Sequence, residues 1–370
     1  MKLIVCGDFV SQEPKNIQID EKLHDLLNSA DFVAVNFEAP LRGTGKPIYK
    51  SGPSLTQSSD SPAFIEKIGA NIIMMANNHM MDQNKDGCEL SVKAFKPETL
   101  ILGVGYLNDA YRLHIVEKDG LKVGLLCFAH KEFGTLGIDS RSEDYGTAWI
   151  NHPLVNKTIY KAKKWCDVLV VLPHAGVEDI VVPLPEWRVR YKEFIDMGAD
   201  AVVASHPHTP QGWEKYNGKM IYYSLGNFFF QSFSSEHGKN WYKGLVVEMN
   251  IDTDKKISFI VHNTKFSETF LGIDESTDCK EYNNYLCELL LNEDKYWEYL
   301  NGELKKLWPE YKLYLLRGLA AVCPTTNMHM FSHAMYGLIK GPDTPMMLNN
   351  FQCESHRWAI ERILRLQSMR

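Results

Sequence analysis

Six short motifs in the first two-thirds of the chain share a construction: an apolar run that stops at a residue able to ligate a metal ion or move a proton. They are VCGD, VNFE, MMANNH, VLPHAGVE, VVASHPH and YYSLGNF, and they put Asp8, Glu38, Asn78, His79, His174, His206, His208 and Asn227 just past predicted strands. Asp8 and Glu38 offer anionic oxygen, Asn78 an amide oxygen, and His174, His206 and His208 neutral imidazole nitrogen. Divalent Mn, Zn or Fe accepts such a mixed set. Two ions held side by side call for a carboxylate that bridges them. In SHPHT the two rings flank Pro207, whose fixed φ helps to set a bend that can turn both to one side. Singly, each motif has a plainer meaning: GD caps helices, Asn77 and Asn78 suit a turn, and His174 suits a core. Their recurrence at strand ends argues for one shared site.

Such residues can meet only if the fold gathers the carboxyl ends of its strands at one edge, as an open α/β sheet does. Up to about residue 265 short β-branched runs alternate with amphipathic segments, the mark of βαβ units. Strands are predicted over 3–6, 32–36, 71–76, 123–128, 168–172, 201–204 and 220–223, and helices over 20–28, 61–68, 86–95, 153–165 and 185–197. Ser61 followed by Pro62 is a sound helix start, with a capping side chain and a proline in the first turn. Runs at 244–250 and 256–262 flank IDTDKK and predict an antiparallel hairpin, so the sheets should be mixed. SGPSLTQSSDSP predicts a long loop between two of the motifs. The chain therefore divides into residues 1–265, which carry the site, and a helical extension, 266–370, packed on them. In that extension Trp297, Tyr299, Trp308, Tyr311 and Tyr314 predict an apolar face for docking on the first part or on a second copy, which would make a homo-oligomer through these helices.

The composition suits a globular chain: 370 residues, 45% hydrophobic, with a formal charge of -6 and no basic block of the kind that binds nucleic acid. Eight cysteines without a C-x-x-C pair predict reduced core thiols in a cytoplasmic protein. No apolar stretch reaches the length of a spanning helix, and MKLIVCGDFV is a strand rather than a signal peptide. GVGYLN lacks the third glycine of a dinucleotide loop, and HMFSH (His329, His333) lacks the glutamate of H-E-x-x-H.

The ordered set GD, NFE, ANNHMMD, HAGVE, SHPHTPQ and YSLGNF resembles the CapA family of capsule and poly-γ-glutamate biosynthesis proteins, a branch of the calcineurin-like metallophosphatase superfamily. The resemblance implies a four-layer α/β/β/α sandwich of metallophosphatase type with one or two divalent ions at an edge. It implies Asp8 and His208 on a first ion, Glu38 bridging, and Asn78, His174 and His206 on a second. His79 would give a proton to the leaving oxygen or stabilise its charge, with Glu178 beside it in the chemistry. Asn36, Asn77 and Asn227 would brace ligands or substrate. Val10 stands where classical members have a histidine, and Glu38 replaces their bridging aspartate, so the Asp8 position has fewer ligands than usual. The implied activity is a metal-dependent phosphoesterase using metal-bound hydroxide on a phosphoester of capsule or envelope polymer metabolism; the absence of a G-x-S-x-G elbow agrees with a water nucleophile. Alternatives are cleavage or transfer at a γ-glutamyl amide by the same metals, and a non-catalytic scaffold for a polymer synthase.

Overall fold

The structure is a computed structural model and describes residues 1–231, 238, 240–318, 332, 335 and 343–368. Two sheets lie face to face. The larger runs in the order Gln18–Ile19, Phe270–Ile273, Ile257–Phe266, Lys243–Ile251, Lys2–Val10, Phe32–Phe37, Ile72–Met74 and Leu100–Leu102, with Asn227–Phe230 also paired to Lys2–Val10. The smaller runs Trp213–Tyr216, Lys219–Tyr222, Ala201–Val203, Val168–His174, Leu121–Ala129 and His114–Lys118. The smaller has a parallel centre and antiparallel flanks; the larger is parallel from Lys2–Val10 to Leu100–Leu102, antiparallel from Lys2–Val10 through the hairpin of Lys243–Ile251 with Ile257–Phe266 to Phe270–Ile273, and parallel again where Gln18–Ile19 joins.

Strand period explains the layering, because successive side chains on a strand point to opposite faces. Leu3 and Val5 join Val168, Val170 and Leu172 in the core between the sheets. Ile4 and Cys6 face outward onto Leu23, Leu27 and Ile65 of the helices Glu21–Asn28 and Ser61–Lys67. Leu169 and Val171 face the opposite outer layer, with Ile159 of Pro153–Ala162 and Trp187 and Tyr191 of Pro185–Asp196. Apolar residues on both faces of a strand are what a sheet covered on both sides requires. The result is helix, sheet, sheet, helix.

Several sequence expectations need correction. The first strand does not stop before Asp8 but continues to Val10, with its register shifting between Val5 and Asp8. His174 is the last residue of its strand, and Asn227 the first of its own. Ser61 does not cap its helix; Asp60 holds that position without a side-chain bond, and Ser61 Oγ donates to the Ser11 carbonyl at 3.3 Å. Past residue 265 the larger sheet continues through Phe270–Ile273, and the helical part starts at Thr277. The helices Thr277–Leu291, Glu293–Gly318 and Glu354–Ser368 bring Leu290, Tyr296, Leu300, Tyr311 and Ile363 into the outer layer of the smaller sheet, with Trp297, Tyr299, Trp308 and Tyr314 packed against it. Among the described residues the cysteines are free thiols, all buried except the half-buried Cys287, and no helix is long and apolar enough to cross a membrane. His329 and His333 lie outside the described residues.

Candidate metal centre

The carboxyl ends of both parallel runs open on the same edge, and the ligand-type residues meet there. Asp8 sits between Asn36 on one neighbouring strand and Asn227 on the other. That spacing depends on Gly7, where a Cβ would stand 2.0 Å from the Gly226 carbonyl oxygen. Glu38 follows Phe37 directly, and Asn77, Asn78 and His79 lie in the turn after Ile72–Met74. From the smaller sheet come His174 and the segment after Ala201–Val203. There His206 and His208 have φ values of +105° and +55°, on either side of Pro207. Left-handed backbone is uncommon for such residues and persists only where the surroundings enforce it. Here the His206 amide donates to Asp8 Oδ2 at 3.2 Å, and Gly176 leaves room for the Pro207 ring.

Two groups of donor atoms result, Glu38 with His174 and His206, and Asp8 with Glu38 and His208; within each group the atoms lie no more than 4.8 Å apart. Glu38 belongs to both. His174 Nε2 is 2.9 Å from Asn78 Oδ1, 3.1 Å from His206 Nδ1 and 3.4 Å from Glu38 Oε1. A single N–H on that nitrogen can satisfy only one of the three contacts well, so the remaining atoms are left without its proton. Glu38 Oε1 is buried and has no hydrogen-bond donor. A divalent cation among these atoms would resolve both conflicts, and the carboxylate, imidazole and amide set fits one.

The electrostatics agree. Burial, and then the Glu38 charge, push the Asp8 carboxyl up to about 7, and burial pushes Glu38 up to about 7. Burial drives His174 down to about 4 and, with His130 and His174 adjacent, holds His206 well below the ordinary histidine value. Burial would lower His208 too, but Glu38 and Asp8 outweigh it and raise it to about 9.

The asparagines brace these groups. Asn36 Nδ2 donates to Asp8 Oδ1 at 2.7 Å and Glu38 Oε2 at 3.3 Å. Asn77 Nδ2 holds Asn36 Oδ1 at 3.2 Å, and its Oδ1 accepts from the amides of His79 and Met80. Asn227 Oδ1 meets His208 Nδ1 at 2.9 Å. Glu178 is exposed, yet its carboxylate comes within 4.8 Å of ring nitrogens of His206 and His208, at the rim of the centre.

Sequence reasoning missed Asp82 and Lys50. His79 Nδ1 lies 2.7 Å from Asp82 Oδ2, Asp82 accepts from the Leu55 amide at 2.7 Å, and Lys50 pairs with Asp82. The long loop thus folds back over the edge. Asp82 closes ANNHMMD, and its three-residue spacing from His79 was a visible signal. Burial lowers His79 despite that carboxylate; burial would raise Asp82, but His79 and Lys50 hold it below the usual aspartate value. His130 was also missed: it ends the run CFAH at the tip of Leu121–Ala129, with its ring 4.3 Å from that of His206.

A family model described as bacterial capsule synthesis protein PGA_cap matches residues 2–232. Capsule biosynthesis protein CapA of Bacillus anthracis is 31% identical over 213 residues, 55% of this chain and 51% of that protein. PGA biosynthesis protein CapA of Bacillus subtilis strain 168 is 30% identical over 236 residues, 61% of each. The chain spans only about half to three-fifths of the length of these relatives. Among solved structures, Haemophilus influenzae NAD nucleotidase is similar at a TM-score of 0.42 and 10% identity, over 76% of this chain and 61% of that one. The family match contains every residue of the centre and stops before the helical tail.

Proposed function

Because this chain belongs to the family of bacterial capsule synthesis proteins described as PGA_cap, we propose that it is a metal-dependent hydrolase of the phosphoesterase type, acting in capsule or cell-envelope polymer metabolism. The observation that carries the chemistry is the convergence on His174 Nε2 of three atoms that one proton cannot satisfy together. Asn78, His174, His206 and Glu38 would hold one divalent ion, and Asp8, His208 and Glu38 a second. Such an ion supplies Lewis acidity and brings the pKa of water toward neutrality.

The chain's own groups do the rest. Asp82 fixes His79 through Nδ1, which leaves Nε2 to take up or return a proton at the oxygen of the leaving group. Asn36 and Asn227 hold the carboxylate and imidazole ligands in orientation, as braces of metal ligands commonly do. Glu178, at the rim beside His206 and His208, would meet substrate.

The test pairs metal content, by plasma mass spectrometry on protein purified without chelator, with hydrolysis of aryl phosphomonoesters and phosphodiesters in added Mn. Bound transition metal with Mn-stimulated turnover is expected. Metal-loaded protein that ignores both phosphoesters and instead cleaves γ-glutamyl oligomers would move the reaction from phosphorus to carbon. Metal-free, inactive protein that Mn does not rescue would make the chain a scaffold.

A further inference from the structure

A second group of ligand-type atoms lies beside the first, and the helical tail completes it. His130 and Glu132 follow the strand Leu121–Ala129, while Cys353 occupies the junction between the helices Thr344–Gln352 and Glu354–Ser368. A ring nitrogen of His130, a carboxylate oxygen of Glu132 and Cys353 Sγ all lie within 4.8 Å of one another. His130 is 1% exposed and Cys353 0%, and the Glu132 side chain is 13% exposed.

The surroundings are those of a ligand set rather than of a packed core. His130 Nδ1 meets Ser355 Oγ at 3.1 Å, and the same oxygen accepts from Trp187 Nε1 at 3.0 Å. A hydroxyl has two lone pairs, so it can accept from both rings, which leaves the lone pair of His130 on Nε2. That nitrogen is buried without a partner, and Glu132 Oε1 is 4.0 Å away. A ligating histidine typically has its other nitrogen pinned in this way. Glu354 anchors the junction: its carboxylate accepts from Asn151 Nδ2 at 2.7 Å, from Trp149 Nε1 at 3.2 Å and from the Lys131 amide at 3.3 Å. Three consecutive tail residues thus fix the cluster from one side. The Cys353 thiol hydrogen-bonds Glu132, whose carboxyl burial pushes up to about 7.

We propose that His130, Glu132 and Cys353 form a further ion-binding position, for a zinc-class divalent cation, built jointly by the sandwich and the tail and separate from the Asp8/Glu38 centre. A sulfur, nitrogen and oxygen set selects borderline ions such as zinc over magnesium or calcium. Three protein ligands leave a fourth tetrahedral place open. On binding, the Cys353 S–H bond gives its proton to solvent and the thiolate sulfur becomes the ligand. The position adjoins the first centre, because the His130 ring stands edge-on to His206.

The full chain, stripped with chelator and reloaded with cobalt(II), tests this. The expected result is a near-ultraviolet thiolate-to-cobalt charge-transfer band that Cys353→Ser abolishes and Glu38→Gln leaves in place. Ser355→Ala keeps the thiol and weakens cobalt binding at this position about 10- to 100-fold, which gives a readout even if Cys353→Ser folds poorly. A wild-type protein without the band, a band that survives in Cys353→Ser, or unchanged cobalt affinity in Ser355→Ala would each overturn the proposal. The band reports sulfur ligation alone, so this outcome is independent of whether the chain hydrolyses phosphoesters.

Discussion

The two sheets bring different chemistry to their common edge. The larger supplies oxygen, from Asp8, Glu38 and Asn78; the smaller supplies nitrogen, from His174, His206 and His208. Their charge preferences are opposed as well. Both carboxyls of the oxygen side are pushed up to about 7, while His174 falls to about 4 and His206 below its ordinary value. His208 departs from its own side, raised to about 9 because it faces both carboxylates. Neither sheet holds a complete centre. The packing of Leu3 and Val5 against Val168 and Val170 is therefore also what sets the distance between donors, and core and site cannot be altered independently.

Glu38→Gln is the strongest way to break this picture, since it changes the one oxygen side chain common to both donor groups. We expect ion affinity at both positions to fall by more than the roughly 10- to 100-fold that loss of an outer brace costs, with turnover lost alongside; unchanged metal content by plasma mass spectrometry would mean that the oxygen side does not hold the ions. His79→Ala touches neither donor set. It should keep its metal and lose turnover by about 100- to 10,000-fold, and normal rates in a folded variant would remove His79 from the reaction. Asp82→Asn leaves the donor atoms in place but weakens the hold on His79 and on Lys50, so a loss of about 10- to 100-fold is expected, again with full metal content.

The smallest effect is on stability. In the metal-free chain Asp8, Glu38 and His208 have folded-state values raised to about 7, 7 and 9, so the stability they contribute is present at low pH and lost as pH rises through those values. His174, lowered from 6.5 to about 4, acts in the opposite sense, but only below its ordinary value. Between about pH 6.5 and 9 the melting temperature of the metal-free chain should therefore fall, and the double variant Asp8→Asn/Glu38→Gln should flatten the slope. A wild-type slope equal to that of the double variant would show that the oxygen side carries no such strain.

Much of the centre was legible because strand ends are visible as apolar runs that stop at a polar residue, and the parallel topology gathers those ends. The same rule applied to CFAH would have found His130, and the spacing inside ANNHMMD would have found Asp82. Lys50 could not be found this way: it reaches the edge through an irregular loop, and loop paths leave no periodic trace. The strands Leu100–Leu102 and His114–Lys118 escaped for related reasons. One has only three residues, and the other, half-buried at the margin of its sheet, mixes charged and apolar residues. The continuation of the first strand through Asp8 to Val10 was hidden because a register shift carries the ladder past a polar residue. Cys353 shows the limit most clearly, since only tertiary packing brings it, some two hundred residues along the chain, to His130 and Glu132.

The bend at His206 and His208 has a consequence for speed. With both residues already in left-handed backbone, the His206 ring set against His130 and His174 and the His208 ring against Phe230 and Trp241, the nitrogens are aimed before anything arrives. An incoming ion would find neither of these two rings to turn. Loading should then be governed by how quickly the ion sheds its own hydration, so that different divalent metals fill the edge in the order of their water-exchange rates even where their final affinities rank otherwise.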